Sequence, residues 1–439
     1  MGRRASFPPL RVLMNNRDVG LLNKESNGVT KFSYVETWLN WPNAMPVSLS
    51  LPLQHETFSG AIVADFFENL LPDVDAIRRS IATRVGASGI DAYSMLAKIG
   101  RDCVGALQFV PHDADAKTTG QIEGTPLDDV QIENLLTSLH QRHLGMQGDE
   151  EFRISIAGAQ EKTALLWYES KWHKPLGSTP TTHIFKPQIG LVRHPDGIVD
   201  LTNSVENEYY CLQLISEFGL AIPSVDIKKF GETKVLIVER FDRVWTADQR
   251  LIRLPQEDFC QALEVSPTQK YQNRGGPSAV AILKLLRGSD NRFTDQMDFF
   301  KSQILFWLIG ATDGHGKNFS IHLKPRGGFA MTPFYDVLTA QPHVDAAQIR
   351  HKDFTLAMSV GKSRHYKIDG ISGRHFLETA KEADLSPSAA RAVIEQIADD
   401  FESPLQRLQD NLMRDFPMHI HNSVSQGLRG RINKLTKFT

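Results

Sequence analysis

The segment Gly310-Ala311-Thr312-Asp313-Gly314-His315-Gly316-Lys317-Asn318-Phe319 is the strongest concentration of chemistry in the chain. An apolar pattern of helical spacing runs into it and stops at Gly314 and Gly316. Asp313 and Asn318 are left five residues apart in one short loop. Eighteen residues later, Pro333-Phe334-Tyr335-Asp336 places a second acid behind an aromatic pair. Phosphoryl transfer from ATP needs a carboxylate to orient or accept the proton of the attacking hydroxyl. It also needs oxygen ligands for the magnesium that bridges the phosphates. Protein kinases put an Asp and an Asn five apart in one loop and a further Asp on a following strand. On that pattern Asp313 reads as the catalytic base, and Asn318 and Asp336 as metal ligands. The bland alternative is three polar residues capping turns. It suits a lone Asp-x4-Asn but leaves the downstream acid and the upstream loop unexplained.

That upstream loop is Ser155-Ile156-Ala157-Gly158-Ala159-Gln160-Glu161-Lys162. Small residues at 157–159 let backbone N–H groups approach an anion closely, so 156–161 could cradle phosphates. Taken alone it could equally be a hairpin turn. Lys186 ends the next strand and could meet phosphates as a point charge. Glu206 or Glu208, at the start of the following helix, could hold it. Glu239-Arg240-Phe241 closes the strand-rich stretch where the composition turns helical, the place where kinases seat adenine. Two lookalikes fail as Walker A loops. His315-Gly316-Lys317-Asn318 lacks the Ser or Thr after its Lys, and Gly361-Lys362-Ser363 has Leu356 where the leading Gly belongs.

These residues need a scaffold, and the periodicity supplies one. Residues 10–14 and 19–22 flank a turn-like Asn15-Asn16-Arg17-Asp18, a hairpin pattern. Val47, Leu49 and Leu51 alternate with polar neighbours and predict a strand; 61–71 predicts a helix stopping before Pro72. Another strand is expected at 105–110. The breaker-rich stretch 111–128 is the first boundary, followed by a helix near 130–140. Strands are expected at 152–156, 163–168, 183–186 and 235–238, with a helix at 207–218. Beyond Pro255 the pattern is helical. Phe300, Ile304, Trp307, Leu308 and Ala311 share one face, and further helices are expected at 278–287, 375–382, 387–399 and 403–413. The expected organisation is an N-terminal α/β unit (1–110), a connector with one helix (111–150), a strand-rich ATP lobe (151–245) and an all-helical C-terminal part (246–439).

Bulk composition narrows the class further. Forty-nine Lys and Arg against 51 Asp and Glu give a formal charge of −2, too little to grip nucleic acid strongly unaided. Cys103, Cys211 and Cys260 show neither disulfide nor zinc spacing and read as buried side chains. No HExxH or paired-Cys motif is present, and His419 and His421 read as a solvated face. No apolar run approaches the roughly 18 residues of a membrane span. MGRRASFPPL lacks the apolar core of a signal peptide. A cytoplasmic protein is expected.

Together FRISIAGAQEKTALL (152–166), TPTTHIFK (179–186), NEYYC (207–211), VERFDR (238–243), RLPQEDFCQ (253–261), WLIGATDGHGKNFS (307–320) and TPFYDV (332–337) resemble the HipA family. Those proteins are the kinase toxins of bacterial HipBA toxin–antitoxin modules. VLMNNRDVG (12–20), LSLPL (49–53) and FFENLLPD (66–73) are similar as well, so the likeness spans essentially the whole chain. It implies an α+β, kinase-like fold in two parts, an N-terminal α/β half and an all-α C-terminal half, with ATP between them. It implies Asp313 as base and Asn318 and Asp336 on magnesium. Ile156, Ala157, Gly158, Ala159, Gln160 and Glu161 would form the phosphate loop, and Lys186 would contact phosphates. Glu239, Arg240 and Phe241 would lie at the adenine, Gln256 would line the site, and His315 and Lys317 would join the nucleotide-binding set. Ser155 would be the autophosphorylated serine. The resemblance further implies a glutamate–tRNA ligase substrate, with dormancy or persistence as the outcome. It implies a dimeric HipB-type antitoxin that carries the kinase to operator DNA. Two departures from ordinary protein kinases stand out: Thr312 rather than Arg precedes Asp313, and no Gly follows Asp336. An activation-loop switch of the usual kind is therefore not expected. Two other classes compete: a non-enzymatic scaffold for antitoxin and DNA, against which the complete Asp313, Asn318 and Asp336 set argues, and a lipid or small-molecule kinase, which only a substrate assay separates.

Overall fold

The computed structural model describes residues 7–112, 122–141, 160–194 and 197–438. Its N-terminal part begins with β1 (Leu10–Met14) and β2 (Arg17–Lys24), the expected hairpin. Asn15 and Asn16 take φ of 46° and 70°, which a two-residue turn matched to strand twist demands. Then come β3 (Thr30–Tyr34), α1 (Glu36–Leu39), β4 (Phe58–Ser59), α2 (Ala61–Glu68), α3 (Asp75–Val85), α4 (Ala92–Ile99) and β5 (Leu107–Pro111). The strands order as β4-β3-β2-β1-β5. Phe32, Trp38, Phe66, Phe67 and Phe109 fill the core beneath them.

The strand expected from Val47, Leu49 and Leu51 does not form; a single bridge joins Ser48 and Leu51. Ser48 and Ser50 are buried along with their apolar neighbours. The reason is polar: Glu257, far along the chain, accepts from the Ser48 hydroxyl and from the Leu49 N–H, the latter at 2.8 Å. A contact between the two halves has replaced the inside–outside alternation.

The second part comprises β6 (Gly124–Leu127), α5 (Asp129–Gln141), β7 (Thr163–Tyr168), β8 (Lys171–Pro175), β9 (His183–Pro187), the hairpin β10 (Gly190–His194) and β11 (Gly197–Leu201), α6 (Ser204–Glu217), β12 (Val225–Phe230) and β13 (Thr233–Glu239). Six of the strands make one antiparallel sheet, ordered β12-β13-β9-β7-β8-β6. The stretch read as a boundary therefore contributes an edge strand, where Pro126 can lack an N–H without cost to the ladder. Its helix is no mere connector either. Ile132 and Leu136 are buried against Leu165, Trp172, Phe185 and Ile237. The strand expected at 152–156 lies outside the described residues.

The C-terminal part opens with β14 (Arg243–Trp245), β15 (Leu251–Arg253) and β16 (Gln256–Asp258). It continues with α7 (Phe259–Ala262), α8 (Ala279–Leu285), α9 (Arg292–Ile309), β17 (Ser320–Leu323) and β18 (Phe329–Met331). It ends with α10 (Gln341–Asp345), β19 (Thr355–Val360), β20 (His365–Lys367), α11 (Gly373–Glu382), α12 (Pro387–Asp399), α13 (Glu402–Asn411) and α14 (Met418–Leu435). All the expected helices are present. Helices dominate this half, but it also carries the small sheet β16-β17-β18 and the β19–β20 hairpin. The sequence reading missed both, because runs of three to six residues give periodicity little to work with. It also missed α14, which buries Ile420, Val424, Leu428 and Leu435. That helix corrects the reading of His421: the ring is buried and meets the Tyr210 hydroxyl at 3.1 Å, while His419 stays outside. One core runs from α6 through α9 to α14. All three cysteines are buried and unbridged.

Candidate active site

Helix α9 delivers the Asp313 loop. Its inner face, with Phe300, Ile304, Trp307 and Leu308, is buried, so the helix axis is fixed. It stops at Gly310 with φ 71°, and the Ala311 N–H returns to the Phe306 carbonyl at 2.8 Å. A Cβ at Gly310 would lie 2.6 Å from the Phe354 ring, so both the left-handed turn and the space require glycine. Asp313 then emerges exposed. Its carbonyl takes the His315 N–H at 2.8 Å, and the chain turns through Gly316–Asn318 into β17. The Asn318 amide nitrogen donates to the carbonyls of Asp313 at 2.9 Å and Asp336 at 3.3 Å. Asn318 thus ties the two acids together, and with its nitrogen committed, a cation would meet its oxygen.

The opposite wall comes from β9 and α6. Lys186, nearly buried at the end of β9, donates from Nζ to Glu208 Oε1 and Asp336 Oδ1, both at 2.7 Å. Of the two partners considered, Glu208 is the one. Glu206 instead accepts from Lys234, and from Gln188 at 3.2 Å. Asn207 fixes the register, exchanging two hydrogen bonds with the Thr339 backbone at 2.8 and 2.9 Å. Burial alone would lower Lys186, but Asp336 and Glu208 hold it well above the ordinary lysine value. Burial would raise Asp336, but Lys186 and Lys162 hold it well below the usual carboxylate range. Burial, opposed by Lys186, leaves Glu208 raised. Asp336 has φ 60°, a left-handed conformation uncommon for a non-glycine residue and found where surroundings over-determine the backbone.

The remaining expected residues divide. Gln160, Glu161, Glu239, Phe241, Gln256 and His315 line the same cleft, and the Gln160 amide reaches the Pro187 carbonyl at 3.2 Å. Ser155, Ile156, Ala157, Gly158 and Ala159 lie outside the described residues. Phe241 sits 5.7 Å from the Tyr335 ring, and the two form an aromatic wall of the cleft. Arg240 borders the cleft, but its guanidinium is turned into a buried cluster. It pairs with Asp242 at 2.7 and 2.9 Å and with Thr181 at 2.9 Å, and lies 3.4 Å from Asp102. Lys317 likewise borders the cleft with its ammonium engaged, by Asp73 at 2.8 Å and the Asn69 carbonyl at 3.1 Å. Both charges are engaged by protein acceptors, that of Lys317 by Asn69 and Asp73, which line the cleft beside it.

Two residues were missed. Lys162 follows the expected phosphate loop and is close enough to Asp336 to depress its carboxyl; its position one residue past Glu161 was the available signal. The Tyr271 hydroxyl donates to Asp313 Oδ1 at 2.6 Å, and its ring meets His315 edge-on at 5.0 Å. Nothing in the sequence links Tyr271 to a loop that distant.

The cleft has a volume of about 660 Å³, within the range usual for small-molecule sites. Among the described residues, His315 Nδ1 is buried without a hydrogen-bond partner, an exception to the usual pairing of buried polar atoms. The donor set fits a nucleotide with a hard cation. Two oxygen-bearing side chains, Asn318 and Asp336, converge, and magnesium takes its other ligands from phosphates and water. Among the described residues no helix is long and apolar enough to cross a membrane.

Known proteins are similar to this chain over most of its length. Residues 154–405 match the HipA-like C-terminal domain and residues 10–110 the HipA N-terminal domain. The putative kinase Y4mE of Sinorhizobium fredii is 33% identical over 92% of this chain and 92% of its own length. The serine/threonine-protein kinase toxin HipA of Shewanella oneidensis is 28% identical over 72% of this chain and 71% of its own. A solved complex of HipA, HipB and operator DNA from Shewanella oneidensis MR-1 has the same fold, with TM-score 0.78 and 22% identity over 97% of this chain and 99% of that one.

Proposed function

Because the chain belongs to the HipA family, we propose that it is an ATP- and magnesium-dependent serine/threonine protein kinase, the toxin of a HipBA-type module. The observation that carries this reading is the meeting of Lys186, Glu208, Asp336, Asn318 and Asp313 in one cleft, joined by hydrogen bonds of 2.7 to 3.3 Å. A scaffold would have no use for that arrangement.

In this mechanism Asp313 receives the substrate hydroxyl, orients it toward the γ-phosphate and takes up its proton as transfer proceeds. Lys186, held by Glu208, faces the phosphates as a fixed positive charge. Asn318 and Asp336 would hold magnesium, which offsets the charge on the transferring phosphoryl group. The backbone at Glu239–Phe241 and the Phe241 ring border the adenine pocket. The finer reading follows the family likeness. The substrate is a glutamate–tRNA ligase, the cellular outcome is arrested translation and persistence, and the setting is the cytoplasm. A HipB-type antitoxin dimer supplies operator recognition, since a charge of −2 gives this chain little counterion-release drive of its own. Ser155 is modified by the kinase itself. Its phosphate would bring about −1.5 to −2 charges beside the phosphate loop and so disfavour ATP.

The test is purified protein with labelled ATP and magnesium, offered glutamate–tRNA ligase and, separately, a cell extract. One labelled band that is absent with D313A supports the kinase reading. Label on the ligase supports that substrate. Labelled lipid or small molecule with no labelled protein overturns the protein-kinase reading. Mass spectrometry of the peptide 154–162 from wild type and D313A decides the Ser155 claim.

A further inference from the structure

The motif FFENLLPD belongs to the N-terminal half, yet its last residue reaches the catalytic loop. Asp73 accepts from Lys317 Nζ on Oδ1 and from Lys270 Nζ on Oδ2, both at 2.8 Å. Lys317 lies inside the loop, between His315 and Asn318. Lys270 directly precedes Tyr271, whose hydroxyl grips Asp313 Oδ1. The two arms also touch each other, the Gly316 N–H approaching the Lys270 carbonyl at 3.4 Å. One carboxylate thus holds both segments that fix Asp313, one through the Asn318–Asp313 hydrogen bond and one through the Tyr271–Asp313 hydrogen bond.

The carboxylate is itself firmly mounted. Arg78 donates to the Pro72 carbonyl at 2.5 Å and to Glu68, so the turn carrying Asp73 is clamped within its own half. Asn69 donates to the Asp65 carbonyl at 2.8 Å and across to the Val265 carbonyl at 2.9 Å. The Lys317 ammonium has a further acceptor, the Asn69 carbonyl at 3.1 Å. A triad of one carboxylate and two ammonium groups, all largely out of water, gains little net stability over an apolar substitute. What it does supply is direction, because each lysine is aimed at one oxygen.

We propose that Asp73 is a positioning residue for phosphoryl transfer, through which the N-terminal half sets the placement of Asp313 by way of Lys317 and Lys270. This rests on the reading of the Asp313 loop as the transfer site. Displacing a reacting group by about 1 Å can lower a rate by about a hundredfold. Asp73→Asn keeps the shape and removes the charge, and should lower kcat by about 10- to 100-fold on that scale while leaving KM for ATP unchanged.

The experiment measures kcat, KM for ATP and thermal midpoint for full-length wild type, D73N, K317M and D73N/K317M, with D313A as reference. Expected are a fall in kcat per folded D73N molecule, beside a lowered thermal midpoint because two largely buried ammonium groups lose their carboxylate, and a double variant no slower than the slower single. Wild-type kcat in D73N overturns the proposal. So does a loss that vanishes when rates are divided by the folded fraction, or losses that multiply in the double variant. Should D73N fail to fold, K270M takes its place and must show the same split between kcat and KM. If wild type transfers no more phosphate than D313A, the kinase reading itself fails and the proposal falls with it.

Discussion

Of the clusters of buried charge in this chain, two invite comparison, and only one of the two is built for chemistry. At the hinge, the segment that follows β13 and joins the strand-rich part to the C-terminal part, Asp102 receives Arg243 at 2.8 Å, Arg253 at 3.0 Å and the Thr181 hydroxyl at 2.7 Å, while Asp242 receives Nε and one terminal nitrogen of Arg240. In the cleft, Lys186 joins Glu208 and Asp336. Burial raises Asp102, but three guanidinium groups hold it well below the usual range, as the lysines hold Asp336. Perturbed acidity therefore does not separate the two. Access does: the Asp102 side chain is 4% exposed and the Asp336 side chain 29%, with Asp313 more open still. Both oxygens of each hinge carboxylate are filled by protein donors, so the cluster can only hold elements together. The cleft presents the carboxylates of Asp313 and Asp336 to whatever enters.

That contrast can be broken at its strongest point first. Asp313→Ala should lower kcat by about 10²- to 10⁴-fold, the usual share of a positioned acid–base group. ATP affinity, measured by calorimetry, and the thermal midpoint should stay as in wild type. Full activity would remove Asp313 from the reaction. Asp102→Ala should do the reverse, costing about 3–5 kcal/mol of stability because the arginines are left buried and uncompensated. Urea titration measures the loss, and the rate per folded molecule should remain near wild type. A stable but inactive Asp102 variant would mean the hinge cluster serves the reaction directly. Asp336→Ala should weaken nucleotide binding by at least about tenfold with magnesium present and much less in EDTA, the signature of a lost metal ligand. Equal losses in both conditions would assign Asp336 to holding Lys186 alone.

The smallest effect tests the rule with a buried acid that no cation among the described residues pairs. Glu257 is pushed from its ordinary 4.5 up to about 8 by burial. A carboxyl raised on folding binds its proton more tightly in the native state. Its contribution is fully present below pH about 4.5 and is lost as pH climbs through about 8. Glu257→Gln can keep both contacts, its oxygen facing the Leu49 N–H and its amide facing Ser48. It should flatten the fall in thermal midpoint across that window. An identical pH profile in wild type and variant would show that Glu257 is not the group responsible.

The sequence by itself determined the parts of this protein that depend on local order. The Asn15-Asn16 hairpin, the helices of the C-terminal half up to α13 that periodicity marks, and the Asp313-to-Asn318 loop are all short-range patterns. The downstream acid pattern extended that reading to Asp336 and a strand end extended it to Lys186, and the fold brings the two to 2.7 Å although 150 residues separate them. Tertiary structure alone decided which charges face the cleft. Arg240 and Lys317 stand in the right segments, but their long side chains follow the nearest buried carboxylates, Asp242 and Asp73, and those lie far away in sequence or on the other side of a turn. Tyr271, Asp73 and Glu257 were silent for the same reason. A hydrogen bond or ion pair acts over about 3 Å, and the chain neighbours that periodicity can read are not the neighbours such a bond requires.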